Sequence, residues 1–348
     1  TDKDKYATCL PWTPIGGMSD TSATATPVKA YTGTFDGGRH AITNLAPVKR
    51  GYHVGLFGIA HNATLRGVNV ASGYIAGVDR AAGVVARITG ITTVEDCSNA
   101  ATVYSDPSNA GGGSGTACNT GGVVGCAYMG DTFYIRRCSN TGDVRAIRDA
   151  GGVIGSTNCT NPGIIEDSYN TGNITATANS GGYGTGGVIG TGGNVSRMAR
   201  CYNAGDVNGS KKGALSDSFT SGATVESCYY DGSKAGATGS GTSLTSDQLK
   251  TWGTAYQLNG GATGGTQSGN VAGMNTWTFA PDSYPQLIAR NADGSPAASM
   301  QKASDWGQVG EWVENFCTAT DTGETAGFKP NLSTNNGTAT DKDRKSAG

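Results

Sequence analysis

The sequence has little charge, few histidines and no long apolar run. Only 15% of its 348 residues are Asp, Glu, Lys or Arg, and the formal net charge is -2. Because a near-neutral chain offers no basic face, we expect no nucleic-acid partner. A helix that crosses a membrane needs about 18 consecutive apolar residues. The sequence has no such run, so we expect no insertion into a membrane.

Several short motifs that carry chemistry are also missing. The nine cysteines include no Cys-x-x-Cys, the common spacing of zinc ligands. The three histidines (His40, His53 and His61) form no His-Glu-x-x-His, and no serine lies in a nucleophile elbow. The glycine-rich stretches lack the Gly-Lys-Ser/Thr ending of a phosphate loop. The sequence therefore predicts no catalytic residue, no metal site and no cofactor.

Glycine is abundant instead, with 57 residues, and it marks an internal repeat. Each copy begins with a run like Gly-Gly-Val-Ile, continues to a run like Cys-Tyr-Asn and ends on a run like Asp-Val. The residues in the cysteine position are Cys97, Cys138, Ser168, Cys201 and Cys228, at intervals of 41, 30, 33 and 27 residues. A coiled coil or a collagen helix needs a fixed period, whereas a solenoid tolerates loops of varying length. The irregular interval therefore favours a β-solenoid.

The three apolar runs of each copy predict three strands per turn of a parallel β-helix, in which equivalent residues stack about 4.8 Å apart. We predict an interior ladder of Val123, Val153 and Val188, and a structural ladder of Cys97, Cys138, Ser168, Cys201 and Cys228. We also predict a stack of Asn140, Asn170 and Asn203 at a corner, where asparagine tolerates left-handed backbone and its amide bonds along the stack.

The cysteine ladder is predicted to consist of buried free thiols, because Ser168 in the same slot indicates a requirement for size rather than for a covalent bond. Disulfides remain open for the cysteines off the ladder. Cys118 and Cys126 flank one glycine-rich strand and are the first candidate pair. An odd total leaves at least one thiol free or in an intermolecular link.

Gly55–Gly58 (Gly-Leu-Phe-Gly), the Gly-Gly-Val-Ile-Gly copies and the segment 201–207 (Cys-Tyr-Asn-Ala-Gly-Asp-Val) resemble the GLUG-type repeats of large bacterial surface proteins. The lead-in at 31–45 and the Tyr-Pro-Gln-Leu at 284–287 are similar too, so the resemblance covers roughly residues 10–290. It implies a right-handed, three-sided parallel β-helix, a surface or adhesin setting on a bacterium, and no catalytic residues in the repeats.

We expect four segments in the chain. Residues 1–30 form an N-terminal cap, residues 31–243 the repeats and residues 244–292 a C-terminal cap, with a short helix that starts at a capping box over 245–248. Residues 293–348 form a C-terminal helix and an extended tail. The chain begins with Thr1 and has no signal peptide, so we expect a processed product or a part of a larger protein.

Three functions fit these observations. The first is a non-enzymatic extracellular structural or adhesive module, whose partner is a host or bacterial surface protein or a glycan. The second is a subunit of a head-to-tail filament, because the segment 340–344 nearly repeats 1–5 and a docked tail would join copies end to end.

The third is a polysaccharide lyase or glycoside hydrolase, since such enzymes place carboxylates on one outward face of the coils. The candidate charges are Asp79, Arg80, Glu95, Asp96, Arg136, Arg137, Glu166, Asp167 and Arg200. We prefer to interpret them as an exposed row of salt bridges that keeps neighbouring coils in register.

Overall fold

The protein is described here by a computed structural model. It describes residues 10–17, 29–47, 51–105, 119–129, 132–177, 184–260, 276–278, 280, 282–291, 293 and 295–296. The predicted C-terminal helix, the tail and the two similar terminal segments lie outside the described residues. The chain divides into two compact units, Thr1–Ser243 and Leu244–Gly348.

The first unit is an all-β parallel solenoid of about six turns, which confirms the predicted fold class. The opening strands are β1 (Leu10–Trp12), β2 (Tyr31–Asp36), β3 (Ala41–Ile42) and β4 (Leu45–Pro47). The first full coil contains β5 (His53–Val54), β6 (Phe57–Arg66), β7 (Asn69–Val70) and β8 (Tyr74–Gly77). The second contains β9 (Arg80–Ala82), β10 (Val85–Thr89), β11 (Thr93–Glu95), β12 (Ser98–Asn99) and β13 (Thr102–Ser105).

The remaining coils repeat the five-strand order of the second coil. The third contains β14 (Thr120–Gly121), β15 (Val124–Tyr128), β16 (Tyr134–Arg136), β17 (Ser139–Asn140) and β18 (Val144–Ala146). The fourth contains β19 (Ala150–Gly151), β20 (Ile154–Asn158), β21 (Gly163–Glu166), β22 (Tyr169–Asn170) and β23 (Ile174–Ala176). The fifth contains β24 (Thr185–Gly186), β25 (Ile189–Thr191), β26 (Val195–Ala199), β27 (Tyr202–Asn203) and β28 (Val207–Asn208). The last contains β29 (Lys212–Gly213), β30 (Thr224–Glu226), β31 (Tyr229–Asp231) and β32 (Thr242–Leu244).

Equivalent strands of successive coils pair in parallel and form five strips, which we number in the order in which the chain visits them. Strip 1 contains β5, β9, β14, β19, β24 and β29; strip 2 contains β6, β10, β15, β20 and β25. Strip 3 contains β2, β6, β11, β16, β21, β26 and β30; strip 4 contains β3, β7, β12, β17, β22, β27, β31 and β32; strip 5 contains β8, β13, β18, β23 and β28. The long β6 belongs to strips 2 and 3. The three predicted strands correspond to strips 2, 3 and 5, and the two-residue strands of strips 1 and 4 were not predicted.

The predicted valine ladder fills the interior at the entry to strip 2. Val123, Val153 and Val188 are fully buried. The amide of Val123 donates to the carbonyl of Val153 over 3.1 Å, and the amide of Val153 donates to that of Val188 over 2.9 Å. The solenoid core therefore grows by one equivalent apolar layer with each coil.

A ladder of buried asparagines runs along strip 4. The side-chain amide of Asn99 donates to the Oδ1 of Asn140, that of Asn140 to Asn170 and that of Asn170 to Asn203, each over 2.8 Å. Each amide also donates to the carbonyl two residues further along its own chain. The predicted bonding of the amides along the stack is confirmed, and Asn99 extends the ladder by one coil.

The asparagine ladder requires glycine on the opposite side of each coil. A Cβ on Gly152 would overlap the side chain of Asn170 and the carbonyl of Gly187, and the same overlap recurs between Gly122 and Asn140. The second glycine of each Gly-Gly pair and the asparagine of the same repeat therefore contact each other directly, and this contact leaves no room for a side chain at the glycine.

The left-handed corner residue lies three positions before each asparagine, and the prediction that the asparagine itself takes this conformation is wrong. The corner between strips 3 and 4 has positive φ at Gly67, Asp96, Arg137, Asp167, Arg200 and Ser227, with values of 49–62°. Only glycine adopts this conformation without strain, and Asp is among the residues that tolerate it best. The two arginines therefore need compensation, which their ion pairs provide.

The ends of the first unit carry additional contacts. At the start, β1 pairs in parallel with β4, and the Nε1 of Trp12 donates to the carbonyl of Leu56 over 3.0 Å. Ile15 bridges to Phe57 and packs against the core. These residues belong to the segment that the sequence predicts as an N-terminal cap.

The second unit begins with two short helices, α1 (Ser246–Leu249) and α2 (Trp252–Leu258), where the sequence predicts one. The predicted capping box is confirmed, because Thr245 and Gln248 bond each other's backbone amides. Asn259 then bonds the backbone of Thr276 and Trp277, at the start of β33 (Trp277–Thr278), which pairs with β34 (Gln286–Leu287). Within the described part of the chain, no helix is long and apolar enough to cross a membrane.

Replacing Asn170 with alanine should lower the free energy of unfolding by about 2–4 kcal/mol, because the buried amide groups of Asn140 and Asn203 each lose a partner. The measurement is urea denaturation followed by circular dichroism. The matched control is Asn173→Ala, which removes an exposed amide three residues away and should change stability by less than about 1 kcal/mol. Equal losses in both variants would contradict a structural role for the ladder.

Candidate functional site

The predicted thiol ladder occupies one interior position of the last five coils. Cys97, Cys138, Ser168, Cys201 and Cys228 are all at most 3% exposed. Each donates its S–H or O–H to the carbonyl two residues earlier, at 3.1 Å for Cys97, 2.8 Å for Ser168 and 3.3 Å for Cys228. A serine hydroxyl and a cysteine thiol satisfy the same carbonyl, which accounts for Ser168 in this slot.

Two of the ladder cysteines, Cys138 and Cys201, are poor nucleophiles. All four are free thiols, and burial raises the pKa of Cys138 and of Cys201 well above the ordinary value, with the neighbouring thiols Cys97 and Cys228 adding to the effect. Because the thiolate is the reactive form, a raised pKa suppresses reactivity.

Cys126 is also a free, buried thiol, and its disulfide with Cys118 stays a prediction. The sulfur of Cys126 hydrogen-bonds to Arg80 on the neighbouring coil, so it belongs to a polar contact. Cys118 itself lies outside the described residues.

The outward face of strip 3 carries a row of ion pairs between coils. Register aligns Asp36, Arg66, Glu95, Arg136, Glu166, Ala199 and Glu226. Arg66 pairs with Asp36 at 2.9 Å, and Arg136 pairs with Glu166 at 3.5 Å. Opposite charges therefore alternate along most of the solenoid.

The left-handed corner adds a second row beside the first. Arg137 bonds both oxygens of Asp96, at 2.9 and 2.8 Å, and pairs with Glu95 at 2.9 Å. Arg200 bonds both oxygens of Asp167, at 2.7 and 2.9 Å. The hydrogen bonds that each arginine donates to these carboxylates raise its pKa. Seven of the nine candidate charges thus pair with one another across coils.

The alternation of charges along strip 3 is interrupted at Ala199, and an arginine from a neighbouring position takes its place. Ala199 stands where an arginine would follow Glu166, but Arg197, two residues earlier on the same strand, pairs with Glu166 and also with Glu226 at 3.0 Å. A cation is therefore present between Glu166 and Glu226, although it comes from a different position of the strand.

The other two candidate charges, Asp79 and Arg80, lie in a different environment, which we call the polar seam. It consists of Asp79, Arg80, Arg87, Cys126 and Tyr128, beside strips 1 and 2 of the second and third coils. Arg80 pairs with Asp79 at 2.7 Å. The guanidinium groups of Arg80 and Arg87 lie 5.1 and 5.2 Å from the ring centre of Tyr128. The seam therefore concentrates two cations, an anion, a thiol and an aromatic ring.

Burial controls the ionisation of Asp79. Only 3% of the residue is exposed, and burial raises the pKa of its carboxyl to about 6, although Arg80 acts in the opposite direction. Among the described residues, the Oδ1 of Asp79 has no hydrogen-bond partner. A buried acid with a pKa near neutrality is characteristic of functional sites, and it also occurs in structural ion pairs.

Further acids occupy the same side in later coils. By register Asp149 lies two coils on at the position of Arg80, next to that of Asp79. It accepts hydrogen bonds from the amide of Gly184 over 3.1 Å and from Thr191. Burial raises the pKa of Asp149 as well. In the last coils, Asp217 pairs with Lys211 at 2.7 Å.

Both glycine-rich insertions join the solenoid at the corner between strips 5 and 1, and the first of them does so between the two coils of the polar seam. Residues 106–118 connect β13 to β14, and residues 178–183 connect β23 to β24, so both lie between strips 5 and 1. Asp79 and Asp149 lie at this same corner in their own coils. Loops of variable length, attached to a rigid scaffold, are where recognition residues concentrate in proteins.

The sequence analysis missed Arg87, Cys126, Tyr128 and Asp149 as members of one group. A detectable signal existed for Arg87, because a charged residue in the strand Val85–Thr89 interrupts a buried apolar run. Register places it beside Cys126. In the part of the chain that the structure describes, no three His, Cys, Asp or Glu side chains are grouped as metal ligands.

Two of the tyrosines on strip 4 form a parallel stack, with the rings of Tyr169 and Tyr202 5.0 Å apart and inclined by 4°. Both side chains are buried, at 4% and 0% exposure. Their burial and stacking indicate that both tyrosines have a structural role.

Comparisons with known proteins give one distant structural likeness. No protein-family model and no curated protein matches the chain. A crystal structure from Bacteroides ovatus, solved at 1.30 Å and named a "putative immunoglobulin A1 protease", is similar over 80% of this chain and 84% of that chain. The TM-score is 0.49 and the sequence identity is 18%, so the likeness carries no argument about activity.

The raised pKa of Asp79 predicts a specific pH dependence of stability. An unfolded aspartate loses its proton near pH 3.8, whereas folded Asp79 keeps it until about pH 6. Between these values the folded state binds more protons, so stability should fall as pH rises, by up to about 3 kcal/mol at 1.36 kcal/mol for each pKa unit.

The test is the melting temperature of wild type and Asp79→Asn between pH 4 and pH 8. The difference between the two proteins should change steeply from pH 4 to pH 6 and then level off. Asp143→Asn, which alters an exposed carboxylate, is the control and should run parallel to wild type. Parallel curves for all three proteins would show that Asp79 ionises as an exposed acid does.

Proposed function

We propose that this chain is a non-enzymatic structural and adhesive repeat module that acts outside a bacterial cell. The observation that carries the proposal is the pairing of charges across the coils. Seven of the nine charges with which an enzyme on this scaffold would act are engaged in ion pairs with one another, as Arg137 is with Asp96 and Arg200 with Asp167. Groups committed to holding coils together are not free for acid–base work.

The location follows from the resemblance of the repeats to those of bacterial surface proteins. A low charge content and a solenoid closed by local pairing also suit a rigid spacer that presents a surface away from a cell. The described cysteines are buried, so their redox state does not depend on the compartment as exposed thiols would.

The adhesive surface that we propose is the corner between strips 5 and 1. Both glycine-rich insertions attach there, and the polar seam adjoins it. The ligand would be a surface protein or a glycan, because loops attached to a rigid scaffold are where recognition residues concentrate in proteins.

One observation favours an enzyme as the second candidate. Asp79 has a pKa of about 6 and lies beside Arg80, and a carboxyl with such a pKa can act as a general acid or base near neutral pH. A lyase or glycosidase built on this fold would use the polar seam and not strip 3.

The experiment that decides between these functions is a glycan array combined with an assay for reducing ends and for unsaturated products on the bound glycans. The proposed module should bind without turnover, and Asp79→Asn should leave the glycans intact as wild type does. Turnover that is lost in Asp79→Asn and kept in Glu95→Gln would establish the enzyme instead. Failure to bind any glycan or surface protein would remove the adhesive part of the proposal.

A further inference from the structure

The four cysteines of the thiol ladder form two adjacent pairs. The strand residues that follow them pair in register, so Cys97 lies one coil before Cys138, and Cys201 lies one coil before Cys228. In each pair the two thiols are within hydrogen-bonding reach of each other. Ser168 occupies the coil between the two pairs and separates them.

The spacing of the coils suits a disulfide within each pair and excludes one between the pairs. Equivalent Cα atoms of neighbouring coils are about 4.8 Å apart, and a disulfide joins Cα atoms that are about 4.4–6.8 Å apart. Rotation of two touching thiols about their Cα–Cβ bonds brings the sulfur atoms closer. Cys138 and Cys201 are two coils apart, or about 9.6 Å, which is beyond that range. Each ladder thiol therefore has one ladder partner.

The other described cysteines lie in different columns of the solenoid. Cys126 is on strip 2, where it aligns with Arg87 and Ser156 and hydrogen-bonds to Arg80. Cys159 follows β20 on the next coil. Neither thiol shares the column of the ladder, so neither competes with the ladder partners once the coils have stacked.

We infer that the ladder is a cross-linking site, in which an external oxidant joins Cys97 to Cys138 and Cys201 to Cys228 while the chain folds. Each disulfide ties one coil to the next on the inside of the solenoid, across intervals of 41 and 27 residues. The inference deepens the proposed function and rests on it, because disulfides form and persist in proteins that act outside the cell.

The oxidant is a disulfide of low molecular weight. The thiolate of one cysteine attacks it, forms a mixed disulfide and releases one thiol molecule. The thiolate of the partner cysteine then attacks the mixed disulfide and releases the second thiol molecule. Two cysteine thiols are thereby oxidised to one disulfide, the oxidant is reduced to two thiols, and the two protons that the cysteines lose pass to the released thiolates.

The reaction takes place before the coils close. In the closed solenoid the ladder cysteines are at most 3% exposed, and burial raises the pKa of Cys138 and of Cys201. In an unfolded chain the thiols are accessible and ionise at the ordinary pKa of about 8.5. Once the coils have closed, burial shields reduced thiols from oxidants and closed disulfides from reductants, so the compartment acts on the chain only while it folds.

The test is refolding of the reduced, unfolded full chain in a mixture of oxidised and reduced glutathione. Free thiols are then blocked, and linked tryptic peptides are identified by mass spectrometry. We expect both ladder links, each with the loss of two hydrogens, which lowers the mass by about 4 Da for the pair of links. The linked protein should also unfold at a higher urea concentration than the same protein after reduction, because a cross-link restricts the unfolded chain.

Matched variants assign each link, since Cys97 shares its tryptic peptide with two other cysteines. Cys97→Ser should leave Cys138 free and keep the link between Cys201 and Cys228. Cys201→Ser should do the reverse. Serine fits this slot, because the repeat already carries one there. Cys126→Ser removes a buried thiol outside the ladder, and it should keep both links.

A refolded protein in which all four ladder thiols are found blocked as free thiols would overturn the inference. So would a protein in which Cys138 is linked to Cys201, or to a cysteine outside the ladder, as often as to Cys97. If the chain does not refold from the unfolded state, the same mapping on protein exported to the bacterial periplasm, an oxidising compartment, decides between these outcomes.

The glycan array is run on the linked and on the reduced protein. Free ladder thiols in a protein that binds glycans would remove this inference and leave the proposed function in place. Linked thiols in a protein that binds no glycan or surface protein would do the opposite, so the two failures are distinguishable.

Discussion

The solenoid depends on buried asparagine side chains, each of which needs a hydrogen-bond partner on both neighbouring coils. Asn140 and Asn170 each accept from the coil on one side and donate to the coil on the other, and they have no access to water. A buried amide without partners costs more than a typical hydrogen bond contributes. One asparagine in each of four successive coils therefore fixes the register of strip 4 there, and glycine across the coil is required to make room for it.

The same coils pair in the other strips, so their alignment there is fixed as well, and the charges on strip 3 form ion pairs in that alignment. Once coils are stacked in a fixed alignment, a carboxylate of one coil has a defined neighbour on the next, so alternation of sign is favourable and repetition of sign is not. Arg197 shows that the requirement belongs to the surface, since it supplies the charge that Ala199 lacks. The polar seam differs because its groups are buried, and there desolvation dominates over the nearby cation.

The sequence was sufficient to predict what repeats in every coil, such as the solenoid, the thiol position of Cys138 and the amide bonding of Asn170. It was insufficient where structure depends on one residue of a coil. The left-handed residues Arg137 and Arg200 have no helpful propensity signal, since their conformation is imposed by the corner. Arg87 and Cys126 become neighbours only when the register of strip 2 is known, so the polar seam could not be assembled from spacing alone.

The corner between strips 5 and 1 has an evolutionary consequence. Closing a longer loop costs only about 0.6 kcal/mol for each doubling of its length, because the entropy grows with the logarithm of the number of residues. An insertion at that corner leaves the asparagine ladder and the charge rows unchanged. Related chains can therefore diversify the loops at this corner while strips 3 and 4, with the charge rows and the asparagine ladder, stay constant.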